Sequence, residues 1–286
     1  MNNTHLKRSL IAVIIGMLAC ALLFASASCQ PVGSKKEKEE RGAWLETKKT
    51  LYYPDDGIYR YEEYEYDANG NMTKETNHYS DGSIRDVCKH EYDANGNWAK
   101  GTYYNSDGSI DNWYECAYDA NGNLSKYTEY NSDGSIDNWY DFEYDANGNN
   151  TKIYHYSDGS IVNAYETEYD ENGNEIKIIA YNSDGSIWWS EKYRYEYDEN
   201  GNMTKKTTYN SDGSTSSWKE YEYDAKGNMI KQTYYYRSGE IEAQYKYEYD
   251  ANGNMTKETR YNSDGSISSW YEYEYKYFEN VPKNKK

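Results

Sequence analysis

Tyr249-Asp250-Ala251-Asn252-Gly253-Asn254-Met255-Thr256-Lys257-Glu258-Thr259-Arg260-Tyr261-Asn262-Ser263-Asp264-Gly265-Ser266-Ile267 holds two turn signals twelve residues apart, D-A-N-G and N-S-D-G, with strand-forming residues between and beyond them. Asp suits the first position of a type I turn, and Gly supplies the left-handed residue that closes it. Both signals fit a three-residue hairpin loop, a type I turn ending in a glycine bulge. Every such turn reverses the chain.

The unit recurs. The Tyr of its Tyr-Asp pair falls at 66, 92, 118, 144, 169, 197, 223 and 249, spaced by 26, 26, 26, 25, 28, 26 and 26 residues. Second turns, with glycines from Gly57 to Gly265, interleave from about Leu51 to Phe278. Repetition at a fixed period decides the architecture before any single residue does. The chain is expected to be all-β, a long antiparallel meander of about eight 26-residue double-strand repeats. That makes roughly seventeen strands, too many to stay flat, so the sheet is expected to curl into a spiral or open barrel-like shell. A single-layer solvated sheet is the alternative. Tyr275-Lys276-Tyr277-Phe278 lacks the next turn and reads as a cap strand.

The composition limits what can be buried. There are 38 Tyr against 3 Phe, only 3 Pro, and the mean hydropathy is −1.18. Burial must come from Tyr, whose hydroxyl still requires a hydrogen-bond partner. Pairing Tyr249 with Met255 and Tyr261 with Ile267, then counting by twos, places Tyr, Met, Ile, Thr and Lys on one face, expected to turn inward. Glu248, Thr256, Glu258, Arg260 and Glu272 fall on the other.

The N-terminus reads as an export signal: Lys7 and Arg8, an apolar run from Leu10 to Phe24, then Ala25-Ser26-Ala27-Ser28 before Cys29. It resembles a bacterial lipoprotein signal, which implies lipidation at Cys29; Cys20 is a less suitable competing site. The expected divisions are a signal peptide (1–28), a lipid-anchored charged tether (29–50) and the repeat array (51–286). Removing the signal takes away two of 31 basic residues and none of 49 acidic ones, moving the formal charge from −18 to −20. Such acidity opposes contacts to a phosphate backbone, so nucleic acid is excluded as a partner.

Tyr144-Asp145-Ala146-Asn147-Gly148-Asn149 and Tyr249 to Asn254, each followed by a Thr/Lys strand and an Asp-Gly turn, resemble the YD repeat of RHS-type proteins. The resemblance spans nearly all of the chain after the signal. It implies a spiral β-sheet shell of the kind found in bacterial surface and toxin-delivery proteins. The period here is longer than usual for that family, and no toxin-like domain follows before Lys286, which argues against a toxin cage. Ser269-Trp270-Tyr271 is weakly similar to choline-binding wall repeats, which carry Trp more regularly.

The remaining constellations point away from chemistry. Asp250, Asn252 and Asn254 are similar to the start of a calcium loop, but Gly253 stands fourth rather than sixth and no glutamate closes the loop. Cys88 and Cys116 fall on the Tyr face with one strand between them, roughly 9 to 10 Å apart, too far for a disulfide. The histidines show no metal spacing. No catalytic residue, metal or cofactor is expected. Trp113, Trp139, Trp218 and Trp270 each lie five residues after a turn glycine, on the face opposite the Tyr ladder. Rings placed there either bind a partner or shield cross-strand pairs. The expectation is a non-enzymatic, exported, surface-displayed lipoprotein of the bacterial envelope, acting in binding or adhesion to protein or glycan. The alternatives are a structural envelope spacer without a tight ligand, or the remnant of an RHS-type toxin shell.

Overall fold

The computed structural model describes residues 41–282. The signal segment and Cys29 lie outside them. Eighteen strands run from β1 (Arg41–Tyr52) to β18 (Ile267–Pro282). Consecutive strands pair antiparallel, and β18 pairs back with β1. The sheet is a closed β-barrel, so the terminal strand that looked like a cap completes a ring instead. Closure removes both unpaired edges. Among the described residues contacts run between neighbouring strands only, and a barrel of this strand number leaves a water-filled lumen.

The turns form as the residues dictate. The Asp250 N–H donates to the Asn254 carbonyl at 2.9 Å, and the Gly253 N–H to the Asp250 carbonyl at 3.1 Å. Asp250 Oδ1 accepts from the N–H groups of Asn252 and Asn254, both at 2.9 Å. Gly253 sits at φ 83°, where a Cβ would be strained. In the second turn the Asn262 N–H donates to the Ser266 carbonyl at 2.8 Å, and the Ser266 hydroxyl to Asp264 Oδ1 at 2.6 Å.

Beyond the turns, the pairing differs from counting by twos. Tyr249 faces Met255 and Tyr261 faces Ile267, as expected, but the next pairs are Glu248 with Lys257 and Arg260 with Ser269. Thr256 and Ser268 are therefore extra residues, β-bulges that shift each strand by one. The Thr256 hydroxyl donates to the Glu248 carbonyl at 3.3 Å. The bulges exchange the faces of half the residues. Lys257 and Thr259 join Glu248, Trp270 and Glu272 on the outside. Glu258 and Arg260 join Tyr245, Tyr247 and Tyr271 on the inside. The Tyr face does turn inward, but it carries charges that the simple register assigned to the outer face.

Tyr hydroxyls staple one repeat to the next. Tyr249 donates to the Met229 carbonyl at 2.7 Å, Tyr144 to Leu124 at 2.9 Å and Tyr66 to Glu46 at 2.6 Å. The same bond joins Tyr92, Tyr118, Tyr169 and Tyr223 to the preceding repeat. In the 28-residue repeat Tyr195 takes the role, and Tyr197 bonds Asn174 instead. Tyr275, which has no Asp after it, still donates to Met255 at 2.9 Å. The last repeat thus keeps the staple while losing the turn.

The chain divides into two compact units. The larger comprises residues 46–67 and 71–275; the smaller comprises, among the described residues, 41–45, 68–70 and 276–282. In the small unit Trp44 and Tyr277 rings lie 5.4 Å apart, and Val281, 1% exposed, packs where a Cβ on Gly70 would fall 2.5 Å from its Cγ1. Because β1 begins at Arg41, residues 41–50 belong to the sheet, not to the expected tether. Composition alone could not show this, since the charged Lys48 and Lys49 are paired strand residues. Replacing Tyr249 by Phe is expected to lower unfolding free energy by about 1 kcal/mol. Tyr236→Phe, at an exposed turn ring, is expected to change it by less than about 0.5 kcal/mol. Denaturant titration checks both.

Candidate functional site

The four tryptophans form a repeated outward construction. Each faces a threonine on the strand before it: Thr102 with Trp113, Thr128 with Trp139, Thr207 with Trp218 and Thr259 with Trp270. Each stacks flat on a tyrosine from the strand after it. Trp113 meets Tyr130 at 5.2 Å, Trp139 meets Tyr156 at 5.0 Å, Trp218 meets Tyr235 at 5.0 Å, and Trp270 meets Tyr52 at 5.3 Å. A lysine from the preceding strand approaches every indole: Lys100, Lys126, Lys205 and Lys257, between 5.1 and 5.5 Å. Glutamates pair with three of these lysines.

The threonines beneath are buried, yet they do not need an indole over them. Thr76 faces Val87 and Thr233 faces Gln244, and both are as buried, at 7% and 4% exposed. The ring area at the half-buried Trp113, Trp139 and Trp218 therefore exceeds what the sheet requires, whereas Trp270, 7% exposed, is sealed into the fold. The structure brings Trp113 and Trp139 onto alternate neighbouring strands and places Trp218 and Trp270 farther round the array. The stacking tyrosines were not singled out in the sequence because the bulges hid the register. The constant seventeen-residue step from Trp113 to Tyr130, Trp139 to Tyr156 and Trp218 to Tyr235 could have revealed them. The charged pairs on this face suit water, whereas a membrane-spanning barrel presents an apolar band outward.

The inner face is aromatic and charged. Tyr103, Tyr114 and Tyr127 have hydroxyls pushed up chiefly by burial. Gly101 lies directly under the Tyr114 ring, which leaves no room for a Cβ. The Glu46 carboxyl is raised to about 7, by burial first, with Lys49 opposing and Glu62 adding. Glu75, Glu129 and Glu258 are raised for the same leading reason. Burial lowers Lys206 and Lys219 on the same face. Cys88 and Cys116 are free, with thiols raised to about 12 by burial, which leaves them unreactive at neutral pH. His90 and His155 stack on Trp98 and Tyr140 here, whereas His78 stacks on Tyr61 on the outer face. Among the described residues no group of three or more His, Cys, Asp or Glu could hold a metal. The turn aspartates spend their oxygens on Asn and Ser.

Residues 155–195 and 190–234 match a family described as "Protein of unknown function (DUF2963)". No curated protein matches the chain. Among solved structures, the chain is similar to a TcdB2-TccC3-Cdc42 complex at 16% identity and a TM-score of 0.36, covering 84% of this chain and 14% of that chain. It is similar to the Photorhabdus luminescens Tc holotoxin pore at 17% identity and a TM-score of 0.35, covering 83% of this chain and 13% of that chain. A porin-like protein from Bacteroides uniformis matches at 11% identity and a TM-score of 0.41, covering 81% of this chain and 98% of that chain. The chain thus spans a small part of the first two.

The inner carboxyls set a pH dependence. A carboxyl whose folded value lies above its unfolded one binds protons more tightly when folded. Stability therefore falls as pH rises from about 4.5 to about 7 for Glu46. In the opposite sense, hydrogen bonds from Asn149 hold Asp145 low and those from Ser83 hold Asp81 low, stability that is lost on acidification below about pH 4. Unfolding free energy is expected to peak near pH 4 to 5. Glu46→Gln is expected to add on the order of 1–2 kcal/mol at pH 8 and little at pH 4.5, read by denaturant titration.

Proposed function

We propose that this protein is an exported, non-enzymatic repeat scaffold, anchored to the bacterial cell envelope through a lipid on Cys29 and displayed there to bind a protein or glycan partner. The observation that carries the reading is the surplus indole area at the half-buried Trp113, Trp139 and Trp218, where Val or Gln serves the sheet equally well elsewhere. A lysine over a half-buried surface ring contributes only about 0.5–1 kcal/mol, so a partner can displace it at Trp113, Trp139 and Trp218 and take the ring face. Trp is favoured where a few residues dominate binding. The resemblance to YD-repeat shells supports a display role, and the signal-like N-terminus supports export.

A second reading, a structural spacer of the envelope, is favoured by the Lys and Tyr that flank each indole. Changing Trp113, Trp139 and Trp218 to Gln separates the two, because Gln244 shows that the fold accepts it; the buried Trp270 is left in place. The binding reading expects at least about a tenfold loss of affinity on protein or glycan arrays with an unchanged melting curve. Unchanged binding, or no saturable ligand, favours the spacer. Protease digestion of intact cells that disappears in a Cys29→Ala variant supports lipid-anchored display, and protection of both proteins contradicts it.

A further inference from the structure

The inner wall holds a cavity that the outward ridge does not touch. It measures about 380 Å³ and is lined by Leu51, Tyr245, Glu258, Arg260, Ser269 and Tyr271. Three strands and the end of β1 build it: β16 (Ile241–Tyr249), β17 (Met255–Tyr261) and β18. The bulges put these side chains together, for Tyr245 faces Arg260, Arg260 faces Ser269 and Glu258 faces Tyr271. The small Ser269 leaves the space between the two tyrosine rings. The volume lies within the range of small-molecule sites.

Its polar groups converge and are not used up by the fold. The Arg260 guanidinium lies 5.7 Å from the Tyr245 ring centre, and among the described residues no carboxylate lies within ion-pairing distance of it. Arg260 is also a departure from the repeat: the equivalent positions hold Asn77, Glu129, Ala180 and Tyr234. The sheet does not need arginine there. Glu258 accepts from the Tyr273 hydroxyl at a long 3.5 Å, which leaves most of its acceptor capacity open. Lys49 sits 4.6 Å from the Tyr271 ring centre and offsets the Glu258 charge. A ligand that satisfies this set carries one carboxylate for the arginine fork, several hydroxyls for Glu258 and Ser269, and an apolar ring face for tyrosine.

We propose that this lumenal cavity binds a carboxylate-bearing sugar, a uronic acid unit, with Arg260 on the carboxylate, Glu258 and Ser269 on ring hydroxyls, and Tyr271 or Tyr245 under the ring. The unit is either a free monosaccharide or the end of an acidic polysaccharide. The site is independent of the outward tryptophans, so its failure and theirs are separate results.

Calorimetric titration of the purified protein with D-galacturonate, D-galactose and tri-galacturonate tests the site. Saturable binding is expected for galacturonate, at least tenfold tighter than for galactose. Arg260→Gln is expected to weaken galacturonate by roughly tenfold to a hundredfold and to erase the preference. Arg260→Lys, which keeps the charge but not the fork, is expected to fall between. Ser269→Tyr is expected to block both sugars, and Tyr236→Phe, at an exposed turn ring, to change neither. Tighter binding of tri-galacturonate identifies a polysaccharide end, and equal binding a free monosaccharide; either supports the site. Equal affinity for galacturonate and galactose, no saturation at millimolar ligand, or full affinity in Arg260→Gln overturns the proposal.

Discussion

The barrel rests on one hydrogen bond repeated round its wall, from a tyrosine hydroxyl to a backbone carbonyl about twenty residues earlier. A sheet one layer thick has no second layer to bury its side chains against, so ordinary aliphatic packing cannot hold it. Tyrosine answers this constraint because its ring covers the neighbouring strand while its hydroxyl remains bonded. The hydroxyl also ties each hairpin to the one before it, as Tyr249 does with Met229. Ladder bonds join strands; these bonds additionally fix one repeat upon another. The 28-residue repeat shows their priority, since there the chain changes tyrosines and keeps the bond.

The second constraint is the bulge after every turn. It leaves one residue without a partner opposite it, and a threonine such as Thr256 satisfies the carbonyl left over. It also decides which side chains meet water. Without it Lys100, Lys205 and Lys257 would lie among the tyrosines. With it they pair with glutamates and approach the outer indoles. Glu258 and Arg260 pass inside by the same shift, so the two surfaces considered for binding both follow from one extra residue per strand.

Much of this was legible in the sequence. The turn residues at Asp250 to Asn254 and Asn262 to Ser266 fixed the hairpins, their loop type and the first pair beyond each loop. The period fixed the meander, and the alternation fixed an inward Tyr face and free cysteines on it. What was not legible depended on geometry beyond the turn. A bulge has no residue type of its own: Thr256 and Ser268 look like any strand residues, so the faces of Lys257, Thr259, Glu258 and Arg260 were exchanged. Closure was equally hidden, because it depends on β1 and β18 meeting across the whole chain. The start of the sheet at Arg41 was masked by charged residues that resemble a solvated linker.

Closure is the central claim, and hydrogen exchange tests it most directly. In a closed barrel the amides of Thr47 to Leu51 in β1 and of Ser269 to Glu274 in β18 are bonded on both sides of their strands. They should exchange as slowly as those of β9 (Asn150–Ser157) and β10 (Ser160–Tyr169). Fast exchange at alternate residues of both terminal strands, the pattern of two free edges, would contradict the barrel and leave an open, curled sheet.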